Sequence, residues 1–169
     1  IGGGHAGLRF IQVLNQQKHN FDIALIDKKD FYEVNFVNLW EIAAPQDLKG
    51  KHRIKYGEFL RINFKQGSVK ELTQTDVLLD SGTKIPFDYL VIASGSSYPH
   101  FKLAKSQSLQ YEEKSQLVND EYSDLKNAKS VLIIGGGAVG VELAGEIKDR
   151  LPEIKVQLVD MGPKLLARA

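Results

Sequence analysis

The stretch SVLIIGGGAVGVELAGEIKDRLPEIKVQLVD, residues 130–160, restricts the possible folds more than any other part of the chain. It opens with the apolar run VLII, which is followed by glycines and too short for a helix of ordinary length. Three glycines follow in the spacing Gly135-x-Gly137-x-x-Gly140, then a segment of helical character, then a second apolar run that stops at Asp160. Strand, tight turn, helix and strand in that order predict a βαβ unit with its two strands parallel.

Each glycine in such a turn has a physical task. The first permits the tight turn, the second lets the main chain come close to a pyrophosphate, and the third lets helix and strand pack closely. The helix N-terminus adds unsatisfied N–H groups and a positive dipole end. An acid about 20 residues further on can accept from ribose hydroxyls, and Asp160 stands there. Gly135, Gly137, Ala138, Val139, Gly140 and Asp160 are therefore candidate dinucleotide-binding residues.

The chain begins IGGGHAGL, which repeats the spacing in Gly2, Gly4 and Gly7 with His5 and Ala6 between them. A lone glycine pattern is a weak signal. Here Asp27 ends the following apolar run at the same distance from Gly7 as Asp160 lies from Gly140. Two matched units imply two dinucleotides. Ile1 would be the last residue of the first unit's leading strand, and we expect the rest of that strand to precede the sequence shown. A carboxylate on the adenosine ribose repels a 2′-phosphate, so the second site is expected to prefer NAD(H) over NADP(H). The plainer reading of Asp27 and Asp160 is that of solvated strand ends.

Between the two units, Ala6, Phe10, Val13 and Leu14 predict a helix starting at Gly4 or His5, and residues 21–27 predict a short buried strand. Residues 31–55 are irregular, with a short helix expected before Pro45. The runs RINFKQGSVKELTQ, DVLLDSG and KIPFDYLVIASGS predict a small antiparallel sheet before the chain returns to the main one. Residues 107–127 predict a polar bridging helix. The expected fold is α/β: a Rossmann-like parallel sheet with an antiparallel insertion over residues 1–106, a linker helix over 107–129, and the start of a second Rossmann-like unit over 130–169.

Composition narrows the function. Lys plus Arg number 22 against 21 for Asp plus Glu, with no long run of one sign, so nucleic acid is not an expected partner. These 169 residues hold no cysteine, which excludes a disulfide framework, a thiolate zinc site and a redox dithiol within them. Redox chemistry must come from a cofactor.

With GGGHAG, FDYLVIASGS and IIGGGAVGVELAGEI in order, the chain resembles the two-dinucleotide flavoproteins of the pyridine nucleotide-disulfide oxidoreductase type. In these an FAD-binding unit is interrupted by an NAD(P)-binding one. Among branches, IDKKDFYEV, GVELAGEI and LPEIKVQLVD are most similar to the apoptosis-inducing-factor-like group that includes the ferroptosis suppressor proteins, with type II NADH dehydrogenases nearby.

The resemblance implies FAD at Gly2, Gly4, His5, Ala6, Gly7 and Asp27, and NAD(P)H, preferably NADH, at the second loop. Lys28 and Lys29 read as a solvated turn, where the resemblance allows main-chain contacts to adenine, and Val69 is counted with the cofactor-binding positions. Ala93, Ser94 and Gly95 are similar to the family's Ala-Thr-Gly element near the flavin nucleotide, with Ser for Thr. Glu142 matches a position facing the nicotinamide, or is a helix-surface charge. Trp40 and Phe36 either shield a flavin face or belong to the core.

Disulfide reductases carry their cysteine pair between the positions of Asp27 and Lys55, where this chain has NFVNLWEIAA. A thiol relay is thereby excluded, and a flavin reducing an external small-molecule acceptor such as a quinone is implied. No residue is assigned a catalytic role. Both ends are expected to be truncated, so that this segment alone would bind FAD poorly. Any membrane association would lie in segments outside the sequence, and the location is expected to be cytoplasmic or mitochondrial. The competing expectation is a dinucleotide-binding subunit without turnover.

Overall fold

The structure is a computed structural model describing residues 1–98, 105 and 107–167. The chain begins with helix α1 (His5–Asn15), strands β1 (Ala24–Asp27) and β2 (Phe31–Glu33), helices α2 (Asn38–Ala43) and α3 (Pro45–Leu48), strand β3 (Arg53–Lys55) and helix α4 (Tyr56–Phe59). Strands β4 (Asn63–Gln66), β5 (Val69–Leu72), β6 (Asp76–Leu79) and β7 (Lys84–Pro86) follow. Helix α5 (Tyr111–Asn127), strand β8 (Ser130–Ile134), helix α6 (Ala138–Arg150) and strand β9 (Lys155–Val159) complete it.

Two compact units form. The first comprises Ile1–Glu33, Arg53–Ser97 and Ser108–Tyr111, and the second includes Val34–His52 and the chain from Glu112 onward. The end of the first expected domain, at residue 106, lies outside the described residues.

In the first unit β1 and β4 pair in parallel, Leu25 opposite Phe64. Ile1 and Gly2 lie on the other side of β1, where Gly2 N–H donates to Ile26 O at 2.8 Å. Ile1 in turn bonds the return segment: its nitrogen donates to Val91 O at 2.7 Å and its carbonyl accepts from Ala93 N–H at 2.8 Å. Residues 87–97 form no regular strand, although FDYLVIASGS reads as one, because Ile1 gives them only one residue of ladder. Similarly, RINFKQGSVKELTQ yields two strands, split at Gly67 and Ser68. The insertion is the three-stranded antiparallel sheet β5-β6-β7, with its register shifted between Val69 and Glu71.

Two clusters hold this unit together. Ile11, Leu25 and Tyr56 pack with Leu8, Ile23 and Phe64, and Ile26, Val77 and Leu79 pack with Ile1, Val69 and Ile85. Burying an aliphatic side chain of this size contributes about 1.5–3 kcal/mol. β1 is shorter than the expected 21–27 strand, and Phe21 at its foot is 54% exposed.

In the second unit β8 and β9 pair in parallel over five residues, from Ser130 opposite Lys155 to Ile134 opposite Val159. The period of two sends Val131, Ile133, Val156 and Leu158 to the face covered by α6, where Ile147 and Ile154 are buried. Helix α2 packs on α6, with Leu39 and Ile42 against Val118 of α5 and Leu143 of α6. Pro45 ends α2 as expected and then opens α3, a position where its missing N–H costs nothing.

Candidate functional site: two glycine loops built alike

The structure gives the two loops the same hydrogen-bond skeleton. Gly2 turns at φ 98° and donates to Ile26 O, while Gly135 turns at φ 115° and donates to Val159 O, each at 2.8 Å. Positive φ is the reason for glycine here, since L side chains rarely adopt it. The next residue is tied to the acid. Gly3 N–H donates to Asp27 Oδ2 and Gly136 N–H to Asp160 Oδ2, both at 2.6 Å. Each acid's second oxygen accepts from an amide two residues on, Lys29 at 2.8 Å and Gly162 at 2.6 Å. All these pairs share one offset along the chain.

Gly4 and Gly137 cap the two helices in extended conformation, at φ −73° and −76°. No side chain caps either helix. The first helical bonds start at Leu8 N–H to Gly4 O and Val141 N–H to Gly137 O, so Ala6, Gly7, Val139 and Gly140 have amides ahead of any intrahelical acceptor. Such a helix end attracts anions.

The glycine requirements separate by position. A Cβ on Gly7 would collide with the carbonyl oxygen of Gly2, and one on Gly140 with that of Gly135, so the third glycine serves helix–strand packing. A Cβ on Gly4 or Gly137 would meet nothing within 4 Å, and both backbones suit any residue. Protein packing does not require glycine there, whereas close approach of a diphosphate to the helix end would. The residues present therefore fit a dinucleotide diphosphate at each loop.

The carbonyl of each middle glycine is also held, by different means. Tyr56 O–H donates to Gly3 O at 2.8 Å in a buried setting, and Leu166 N–H donates to Gly136 O at 2.8 Å. Tyr56 is 2% exposed; its ring packs on Phe64 at 4.8 Å, and its main chain is pinned by Tyr56 N–H to Asp30 O at 2.9 Å. Burial, then the nearby Asp27 carboxylate, push its phenol far above the ordinary range. Burial also raises Tyr32.

The other expected residues take these places. His5 is the exposed first residue of α1, its ring edge-on to Tyr32 at 5.5 Å. Lys28 is exposed, and its carbonyl accepts from Gln66 Nε2 at 3.2 Å. Val69 opens β5 and packs with Ile26 and Val77. Ala93 lies against the loop, since a Cβ on Gly2 would strike its carbonyl, while Ser94 and Gly95 beside it are exposed, with Gly95 at φ 67°. Ala138 and Val139 form the first turn of α6, and Glu142 is exposed on the same helix. Trp40 sits under the Arg150 guanidinium at 4.7 Å and donates to Asp47 at 3.3 Å, while Phe36 is 74% exposed.

Sequence reading passed over Tyr56, Leu166 and the middle glycines. Tyr56 lies 53 residues from the loop it touches, and nothing local marks it. One signal was available: both loops read Gly-Gly-Gly, with glycine at a position the fingerprint leaves open. A Cβ on Gly3 would strike the Tyr56 hydroxyl, and one on Gly136 would crowd Leu165 and Asp160.

Solved structures share this architecture. The water-forming NADH oxidase from Lactobacillus brevis superposes with a TM-score of 0.74 at 20% identity, over 98% of this chain and 39% of its own. The sulfide:quinone oxidoreductase of Aquifex aeolicus superposes with a TM-score of 0.72 at 20% identity, over 97% and 43%. These likenesses establish the fold, an α/β architecture shared with these two oxidoreductases. The chain belongs to the pyridine nucleotide-disulphide oxidoreductase family, whose model matches residues 1–169. It is 34% identical to apoptosis-inducing factor homolog A of Dictyostelium discoideum, over 99% of the chain and 42% of that protein. It is 32% identical to ferroptosis suppressor protein 1 of Mus musculus, over 94% and 42%. The chain thus spans about two fifths of the length of the relatives it matches.

Proposed function

We propose that this chain is the dinucleotide-binding portion of a flavin-dependent NAD(P)H oxidoreductase, with FAD on the Gly2–Gly7 loop and NADH on the Gly135–Gly140 loop. The observation that carries the reading is the duplication: two loops with the same turn, the same acid-to-amide bond and the same open helix end. The residues position and the cofactor reacts; bound FAD supplies a two-electron acceptor that can be reoxidised by an external oxidant. Ala6 and Gly7, and Val139 and Gly140, offer amides to a diphosphate, while Asp27 and Asp160 hold the loops and face a ribose. A carboxylate accepts up to about four hydrogen bonds, so amide and hydroxyl contacts are compatible.

NADH is favoured over NADPH because Asp160 would lie beside a 2′-phosphate and repel it. A quinone is the proposed acceptor class, supported by the sulfide:quinone oxidoreductase among the structural neighbours. The test is the full-length protein, purified and scanned for flavin absorbance, then mixed with NADH and a soluble quinone. Bleaching by NADH and recovery with quinone are the expected results. A protein that binds flavin yet is never reduced by NADH would refute the proposed reaction.

A further inference from the structure

We propose that the Tyr56 hydroxyl is a positioning group for the first glycine loop, holding the Gly3–Gly4 peptide in the one orientation that turns an N–H toward a bound diphosphate. The inference rests on the reading of that loop as the FAD site. A trans peptide is planar, with its C=O and N–H on opposite sides. Because Tyr56 holds Gly3 O at 2.8 Å inside the protein, the Gly4 N–H is aimed away from Tyr56. The position a Gly4 Cβ would take is open, with nothing within 4 Å.

A latch is needed because of the glycines themselves. A peptide between two glycines meets no Cβ on either side, so it can rotate with little steric resistance. Rotated by half a turn, it would present the Gly3 carbonyl oxygen to the anion in place of the Gly4 amide. The bond from Gly3 N–H to Asp27 Oδ2 fixes the peptide before Gly3 and leaves the one after it to Tyr56. Tyr56 is itself immobilised, 2% exposed, packed on Phe64 and tied by its own amide to Asp30.

The second loop supports the same logic. There Leu166 N–H takes the place of the phenol on Gly136 O, and Leu166 adopts φ 55°, unusual for leucine. Both loops hold the corresponding carbonyl, one by a buried side chain and one by main chain.

The experiment compares full-length wild type, Tyr56→Phe, Val77→Ala and a variant with 4-aminophenylalanine at position 56. FAD affinity is measured by titrating the deflavinated proteins, alongside NADH affinity, melting temperature without FAD, and the phosphorus resonances of bound FAD. Tyr56→Phe should bind FAD roughly tenfold more weakly, the equivalent of one hydrogen bond of about 1.4 kcal/mol, with shifted phosphorus resonances. NADH affinity should stay within about twofold. The 4-aminophenylalanine variant retains a donor and should restore FAD affinity. Val77→Ala, in the buried cluster that does not include Tyr56, should lower the melting temperature while leaving FAD affinity nearly unchanged. If wild type binds FAD and Tyr56→Phe binds it as tightly, or if Tyr56→Phe and Val77→Ala both weaken FAD only in proportion to lost stability, the latch is wrong. A wild type that takes up no flavin would overturn the FAD reading, and the latch with it.

Discussion

Gly137→Ala tests whether the second glycine serves the protein or a ligand. The added methyl would meet nothing within 4 Å, and φ −76° suits alanine. The remaining cost is that of alanine at a helix cap, about 0.5–1 kcal/mol, or a few degrees of melting temperature. For a diphosphate on the helix end, the same methyl stands where the ligand approaches. Displacing it loses one or two charge-assisted hydrogen bonds, about 1.5–3 kcal/mol, so NADH affinity should fall roughly 10- to 150-fold. Gly140→Ala should behave in the opposite sense. Its methyl strikes the Gly135 carbonyl oxygen, which is backbone and cannot swing aside, so stability should fall by about 1–3 kcal/mol. The assay pairs thermal melts of the NADH-free proteins with NADH titration by fluorescence. If Gly137→Ala binds NADH as wild type does, diphosphate approach at that glycine is wrong, and the open space beside it has no functional meaning.

Asp160→Ala should raise kcat/KM for NADPH relative to NADH, because it removes the charge beside the ribose; an unchanged ratio would show that Asp160 does not select the cofactor. Ile147→Ala, at 1% exposure between Ile133 and Ile154, should destabilise the protein by about 2–5 kcal/mol in denaturant melts. Tyr56 gives the fold an alkaline limit. Its phenol stays protonated in the fold beyond the ordinary value near 10, so above that pH the unfolded chain binds fewer protons than the folded one and stability falls as pH rises. Stability curves between pH 8 and 11 should fall less steeply for Tyr56→Phe; identical slopes would contradict this account.

Much of this was legible because it is local. The spacing of Gly135, Gly137 and Gly140 between VLII and GVELAGEI is enough to specify turn, helix start and parallel return, and Ala138–Arg150 with Lys155–Val159 follow from it. The matched acids were legible for the same reason, and the structure adds that each first holds its own loop's amide. What was not legible depends on distant parts of the chain. Tyr56 reaches Gly3 only because β3 delivers it from a segment whose own sequence is irregular. The FDYLVIASGS run has strand character, but strand assignment requires a partner ladder, and Ile1 supplies one residue of it. Helix α2 was foreseen as an element, whereas its seat on α6 comes from tertiary contacts that leave no periodic trace.

The shared skeleton also bears on selectivity. FAD and NADH, the proposed occupants, have the adenosine diphosphate half in common, and the two loops present the same turn, acid and helix end. A competitor that mimics only this common half meets the same main-chain skeleton in both loops. On the proposed reading, any compound meant to displace one dinucleotide and spare the other must take its preference from the flavin or nicotinamide side, or from places where the loops differ in chemistry, such as His5 against Ala138, or a phenol behind Gly3 against a main-chain amide behind Gly136.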